Sequence, residues 1–352
     1  MKILVICQDY PSDKNKYAMS YVHSRNKIYQ SMGEDVAVLS FNTSSKYEFE
    51  NIAVLPESLV NFDEYDYILS HAPNIKNHYR LLKRMNGKKI IFFFHGHEVL
   101  RGYKDYPKPY KWIRYSLFNQ ILSEIYQIFK FKILRKWLTG IFCKKNTIGM
   151  VFVSEWMKDK FVKNMGFKPE KYAKVVIIPN AVNEAFITES YVQSSTVVAD
   201  CITIRPFDES KYAVDLVIEL AKANPKKTFH IYGKGEYFKH NICPENVEVF
   251  NKFIAQKDIP ALLNQYKFAV MPTRFDSQGV MMCEMATFGI PLITSDFSVC
   301  IEMLKNFKNV NYLDLNNFST NIDGLKFGNK TNKTDFNPYK LVRKELDFFN
   351  EL

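Results

Sequence analysis

Short apolar runs alternate with helical patterns along this chain, stop, and then begin again, and that rhythm limits the fold more than any other feature. Lys2–Cys7 (KILVIC) is a buried-strand pattern. A polar loop follows at 11–16, then a helical pattern that runs to Met32 and is stopped by Gly33 at the C′ position. Further strands rich in Val, Ile or Phe are expected at 35–40, 66–70, 89–94, 148–153 and 175–178. The same rhythm restarts with strands at 201–204, 228–232, 246–250, 268–271 and 292–294, and a helix over Val214–Ala223 among them. Strands separated by helices make parallel, doubly wound sheets. The break is the polar, weakly patterned stretch 184–198. The reading is therefore α/β, with two Rossmann-like domains at 1–183 and 184–336 and a cleft between them, where strand ends and helix starts converge on ligands. After Leu315 the chain turns polar, and it closes on NPYKLVRKELDFFNEL. A helix over 337–352 is expected there, with Asn337 as N-cap and Pro338 at N1. It should pack back onto the body, the first domain being one candidate.

Composition removes several classes. The 352 residues are about two domains' worth, and 47% of them are hydrophobic, enough for sizeable cores. Met1-Lys2 leads straight into ILVIC, too short for a signal peptide, and no run approaches 18 uncharged apolar residues. Six cysteines (Cys7, Cys143, Cys201, Cys243, Cys283, Cys300) form no CxxC pair, which fits a reduced cytoplasmic protein better than a disulfide framework or a zinc site.

The chemistry concentrates in FDSQGVMMCEMATFGIP, residues 275–291. The strand at 268–271 precedes it, and Val280–Phe288 has helical patterning ended by Gly289 and Pro291. A loop leading into a helix start offers unpaired N–H groups and a positive dipole end to an anion. Gly279 there lets a ligand approach the backbone. Asp276 and Glu284 would repel phosphate, so their natural partners are hydroxyls, each carboxylate accepting two bonds from a vicinal diol. An anion flanked by diols describes a nucleotide sugar. Met281, Met282, Met285 and Phe288 read as core, so Glu284 is expected to be half-buried and in need of a partner. The alternative is that Asp276 is an ordinary N-cap and Glu284 a surface helix residue.

At this point the residues resemble the retaining glycosyltransferases of the GT-B fold, family GT4 (glycosyltransferase group 1). The D-x7-E spacing from Asp276 to Glu284, followed by A-x-x-G-x-P over Ala286–Pro291, is similar to that family's E-x7-E region with the first acid shortened. IIPNAV (177–182), ITIRPFDESK (202–211), FVSEWMKDKF (152–161) and FFFHGHE (92–98) resemble other family motifs in the right order. The chain departs from the family in having SDKNKYAMSY, without glycine, after the first strand, Ile204 before the Arg, and Ala181 in place of the Gly of PNG.

The resemblance implies a metal-independent, retaining hexosyl transfer with no cofactor. The sugar would pass from a nucleoside diphosphate, UDP most of all, to a bacterial envelope glycan such as capsule or lipopolysaccharide, free or lipid-linked. It implies Arg205 and Lys211 as the diphosphate clamp, replacing magnesium, and Glu284 on the ribose. Asp276 would hold the donor sugar, Gln278, Gly279 and Val280 would supply backbone N–H groups, and His95 would face the reacting centre, with His97 and Glu98 as weaker candidates. Two alternatives carry the same fold: a sugar-nucleotide 2-epimerase and a non-catalytic partner subunit.

Net charge is +11, from 48 basic and 37 acidic residues, and it is uneven. Between Arg101 and Lys145 stand eleven cations against only Asp105 and Glu124, with aromatic residues threaded through. Ile121, Ile125 and Ile128, with Leu117 or Phe118 before them, have helical spacing. One reading is a helix on an anionic membrane surface, with the enzyme peripheral at its inner face and Lys130, Lys132, Arg135 and Lys136 as the contact cluster. The other is an ordinary core helix with a solvated basic face. Nucleic acid is not expected, since no RNP-type, KH or helix-turn-helix pattern accompanies the charge.

Overall fold

The computed structural model describes residues 1–13, 15, 18–140, 145–329 and 331–352. Cys143 and Lys144, and Lys14, Lys16 and Tyr17 of the loop after the first strand, lie outside the described residues. The chain divides into two compact units. One comprises residues 1–102, 118–180 and 338–352, the other 103–117 and 181–337. The stretch 103–117, read from the sequence as part of the first domain, thus belongs to the second unit.

Among the described residues the first unit holds eight strands: β1 (Lys2–Cys7), β2 (Asp35–Ser40), β3 (Tyr47–Phe49), β4 (Ile52–Leu55), β5 (Tyr67–His71), β6 (Lys89–Phe94), β7 (Thr147–Phe152) and β8 (Lys174–Ile177). Their order is β3-β4-β2-β1-β5-β6-β7-β8, parallel except for the β3–β4 pair. Glu50 and Asn51 join that hairpin with positive φ at both positions, 45° and 66°. Two left-handed residues make the tight turn whose twist suits a hairpin. The central strands are apolar on both faces because helices cover both. Ile3, Val5, Ile68, Leu69, Ile91 and Phe92 are fully buried.

Three helices of this unit bear on function: α1 (Ser20–Ser31), α2 (Leu117–Thr139) and α3 (Glu155–Met165). α3 shows why such segments are helical. Ser154 caps it by accepting from Met157 N at 3.1 Å, and Gly166, with φ 72°, ends it. The C-terminal helix Pro338–Asn350 packs in the first unit against α1. Arg25 Nε and Glu345 Oε1 form a buried ion pair across that contact at 3.0 Å, and Tyr29 donates to Glu345 Oε2.

The second unit has β9 (Ala199–Ile204), β10 (Phe229–Tyr232), β11 (Val247–Phe250), β12 (Tyr266–Val270), β13 (Leu292–Ser295) and β14 (Val310–Leu313). Among the described residues they form one parallel sheet in the order β11-β10-β9-β12-β13-β14. The order reverses between β9 and β12, and ligands of doubly wound sheets bind beyond the strand ends at such a reversal. Helix α4 (Val214–Ala223) buries Val214, Val217, Leu220 and Ala221 against Phe229 and Ile231 of the core. Helix α5 (Val280–Phe288) runs from the glycine start to the glycine stop that the sequence marks, with φ 75° at Gly279 and 102° at Gly289.

Candidate functional site

In the second unit, Arg205 sits just past β9 at the strand-order reversal. Its amide donates to Tyr232 O at 2.9 Å, extending the β9–β10 ladder by one residue. The side chain is 7% exposed. Nη1 donates to the carbonyls of Tyr212 and Pro272, and Nη2 to Met271 Sδ at 3.5 Å, while Nε has no partner. Among the described residues no carboxylate lies within ion-pair distance of this guanidinium, and burial pulls its pKa down to about 10. A buried cation held only by neutral acceptors favours an incoming anion.

Arg205, Tyr212, Gly233, Lys252, Thr273, Asp276, Gly279 and Val280 line a cavity of about 290 Å³. Asp276 Oδ1 accepts from Gln278 N at 3.2 Å, an Asx turn that sets the bend into α5. Gln278 is 1% exposed, so what it brings to the loop is backbone shape. Gly279 starts α5 with no side-chain cap, so the first N–H groups of the helix stay available at the cavity wall.

Glu284, one turn further along α5, is 1% exposed, which corrects the half-buried expectation. Its Oε1 accepts from Asn183 N at 3.1 Å and from Gln256 Nε2 at 2.8 Å. Burial raises its pKa to about 7 against the pull of those two bonds. It is not among the lining residues.

Lys211 does not line the cavity either. Its Nζ pairs with Glu209 at 3.1 Å and lies over the rings of Tyr212 and Tyr106, at 4.9 and 5.7 Å. Burial works against its charge, yet Tyr212 and Glu209 outweigh that and hold the pKa above the ordinary value. The structure therefore brings Arg205, Asp276, Gly279 and Val280 to one cavity, with Gln278 and Glu284 behind the α5 start and Lys211 to the side.

Sequence reading missed two contributors. Lys252 lines the cavity from the loop after β11, and Gly233 ends β10 where a Cβ would lie 1.9 Å from Arg205 O. The YGKG run at 232–235 was the available signal for the second of these.

His95 lies in the first unit, past β6. Its Nε2 shares a hydrogen with Nδ1 of His71 at 3.1 Å, and His71 stacks on Phe93 with centroids 4.2 Å apart. Burial drives both imidazoles well below their ordinary pKa, and the Arg25 cation adds to the effect, so both rings are neutral. The Asn180 side chain lies beside the His95 ring and works against the drop in its pKa. Glu98 accepts from His95 N at 3.0 Å and Gly96 N at 2.6 Å, so it shapes the loop after β6. His97 is exposed.

Among the described residues no group of three or more His, Cys, Asp or Glu could hold a metal ion. No curated protein matches the chain by sequence. Residues 202–322, about a third of the chain, match the family described as Glycosyl transferases group 1. In fold, the chain is similar to a sucrose-phosphate synthase from Thermosynechococcus elongatus, with TM-score 0.65, 11% identity, and 99% of this chain and 98% of that one covered. A glycosyltransferase from Rickettsia africae gives TM-score 0.66 at 13% identity over 99% and 98% of the two chains. Anabaena HepE, solved in complex with UDP and glucose, gives 0.62 at 13% over 100% of both. The chain thus has the two-domain GT-B fold of these structures, and its residues 202–322 match the group 1 glycosyltransferase family.

Proposed function

We propose that the protein is a retaining, metal-independent transferase of the GT4 kind, moving a sugar from a nucleoside diphosphate to a bacterial envelope glycan whose acceptor is lipid-linked. The observation that carries this is Arg205, a buried cation without a carboxylate partner on the wall of the 290 Å³ cavity. A departing nucleoside diphosphate develops negative charge, and a preorganised guanidinium stabilises it without a metal. The start of α5 adds backbone N–H groups at the same wall. Asp276, on the same lining, accepts hydroxyls of the donor sugar. Glu284 takes the ribose when ionised, which its raised pKa places near neutrality. His95, held neutral by burial, meets the reacting sugar without a charge.

Lys211 joins the phosphates by leaving Glu209, a partly exposed pair that costs little to break. UDP is the favoured nucleotide because UDP is what HepE was solved with, and UDP-2-fluoro glucose what a similar trehalose-6-phosphate protein of E. coli was solved with. The working place is the inner face of the membrane.

The test is proton NMR of the sugar released from UDP-, GDP- and ADP-hexoses of known anomeric configuration. The same anomer in product and donor supports the reading. An inverted anomer, or a 2-epimerised sugar nucleotide, replaces it.

A further inference from the structure

The first half of α2 faces the wrong way for a helix of a water-soluble protein. Its inward stripe is Gln120, Ser123, Glu124 and Gln127, all partly buried, and only from Lys130 onward does the stripe become Phe131, Leu134 and Leu138. Its outward face is apolar, with Leu117 76%, Phe118 67%, Ile121 59% and Phe129 60% exposed, and Ile125 and Tyr126 close behind. A helix in water turns its apolar stripe to the core and its polar stripe outward. Here the two are exchanged over residues 117–129, a length of about 20 Å. Contiguous apolar surface of this kind marks an interaction site.

Charge selects the occupant. Lys132, Arg135 and Lys136 continue the helix exposed, Arg114 and Tyr115 precede it exposed, and Glu124, its one acid, lies on the inward stripe. The apolar face therefore has cations at both ends and no anion on it. The basic cluster expected from the sequence needs one correction. Lys130 is buried, 9% exposed, donates to His97 O at 3.4 Å, and is shifted by burial to a pKa of about 8. It belongs to the protein. No described helix is long and apolar enough to cross a membrane.

We propose that residues 117–129 lie in the plane of an anionic bilayer surface, with Leu117, Phe118, Ile121, Ile125 and Phe129 below the headgroups and Lys132 and Lys136 among them. This deepens the reading of a lipid-linked acceptor given above and rests on it for its setting. An in-plane helix with an apolar face and cationic flanks binds by buried area plus attraction to anionic lipid.

The test is cosedimentation of the full chain with vesicles of phosphatidylglycerol and phosphatidylcholine, and with phosphatidylcholine alone. The side chains changed are exposed, so Ile121→Asp/Ile125→Asp should fold, as checked by circular dichroism. Its binding to the mixed vesicles is expected to fall at least about tenfold. Lys132→Ala/Lys136→Ala is expected to weaken binding several-fold on mixed vesicles and leave phosphatidylcholine binding unchanged. Wild-type protein that sediments with neither vesicle overturns the inference, as does an Asp variant that binds like wild type. A wild-type dimer made monomeric by the Asp substitutions, without vesicle binding, assigns the face to a second copy and overturns it too. Vesicle binding in a protein that binds no nucleotide upholds the surface and removes the proposed donor chemistry, so the two readings fail separately.

Discussion

At the carboxyl end of the second sheet the polar groups face a cavity, whereas at the carboxyl end of the first they face one another. Both ends are built by the same topology, parallel strands feeding loops and helices. Beyond β9 and β12, Arg205 has only carbonyls and a thioether as partners, and Asp276 and the open start of α5 stand on the same wall. Beyond β5 and β6, His71 holds His95, and nearby Arg25 meets Glu345 and packs over Phe93 at 5.2 Å. The difference teaches that topology gives a place for a ligand and electrostatics decides its kind. A cation hydrogen-bonded only to neutral acceptors favours an anion, and neutral imidazoles beside a paired cation present shape rather than charge.

The comparison breaks most visibly at Glu345. Glu345→Ala leaves Arg25 buried without its carboxylate, and removal of one partner of a buried pair costs about 3–5 kcal/mol. Urea unfolding should show that loss. A cost near zero would mean that the cluster is not a compensated charge pair.

Glu284 sharpens the contrast through pH. Its pKa lies near 7 in the fold against an ordinary 4.5, so the folded protein holds this proton more tightly than the unfolded chain. The stability it contributes is complete below about 4.5 and is lost as pH rises towards 7, on the order of 3 kcal/mol over that window. Glu284→Gln should remove that part of the slope in unfolding measured from pH 4.5 to 7.5. If Glu284 takes the ribose hydroxyls, affinity for nucleotide in the wild type should rise through the same window. An unchanged slope in the variant would place the carboxylate in a wetter setting than the one described.

The smallest effect is at Gly279. Its φ of 75° and a Cβ position 3.3 Å from Met282 Cε make Gly279→Ala a loss of about 1 kcal/mol, read as a fall in melting temperature. Crowding at the start of α5 should lower nucleotide affinity in the same variant. Unchanged affinity would remove the α5 start from the anion site.

Most of the sheet framework was legible because fully buried parallel strands are unbroken runs of Val, Ile and Phe, as in KIIFFF of β6. β3 and β14 were not, being short and interrupted by Glu48 and Asn311, nor was β4, whose IAVL is only four residues long, and the β3–β4 turn uses Glu50 and Asn51 where glycine would have signalled it. The loop 275–280 was legible because its acids and glycine stand out from apolar neighbours. Gly233 was marked only by the YGKG run around it, since its role is the close approach of Arg205, 28 positions away. His71 looks like any core histidine until the fold sets His95 beside it. The spacing of Ile121, Ile125 and Ile128 fitted a core helix and a surface helix equally. Only the fold shows that Gln120, Glu124 and Gln127 take the inward stripe. Lys130 was assigned to the surface because burial of a single lysine within a basic run leaves no local trace.

The most direct measurement is calorimetric titration of UDP, GDP and ADP into the wild type and into Arg205→Ala, with Arg205→Lys as the folded control. One nucleotide should bind the wild type selectively. Its affinity should drop about a hundredfold, ~2.7 kcal/mol, in Arg205→Ala. Arg205→Lys should recover part of it, as a point charge replaces the fork. Equal affinity in all three proteins would contradict the assignment of the β9–β12 reversal as the diphosphate site.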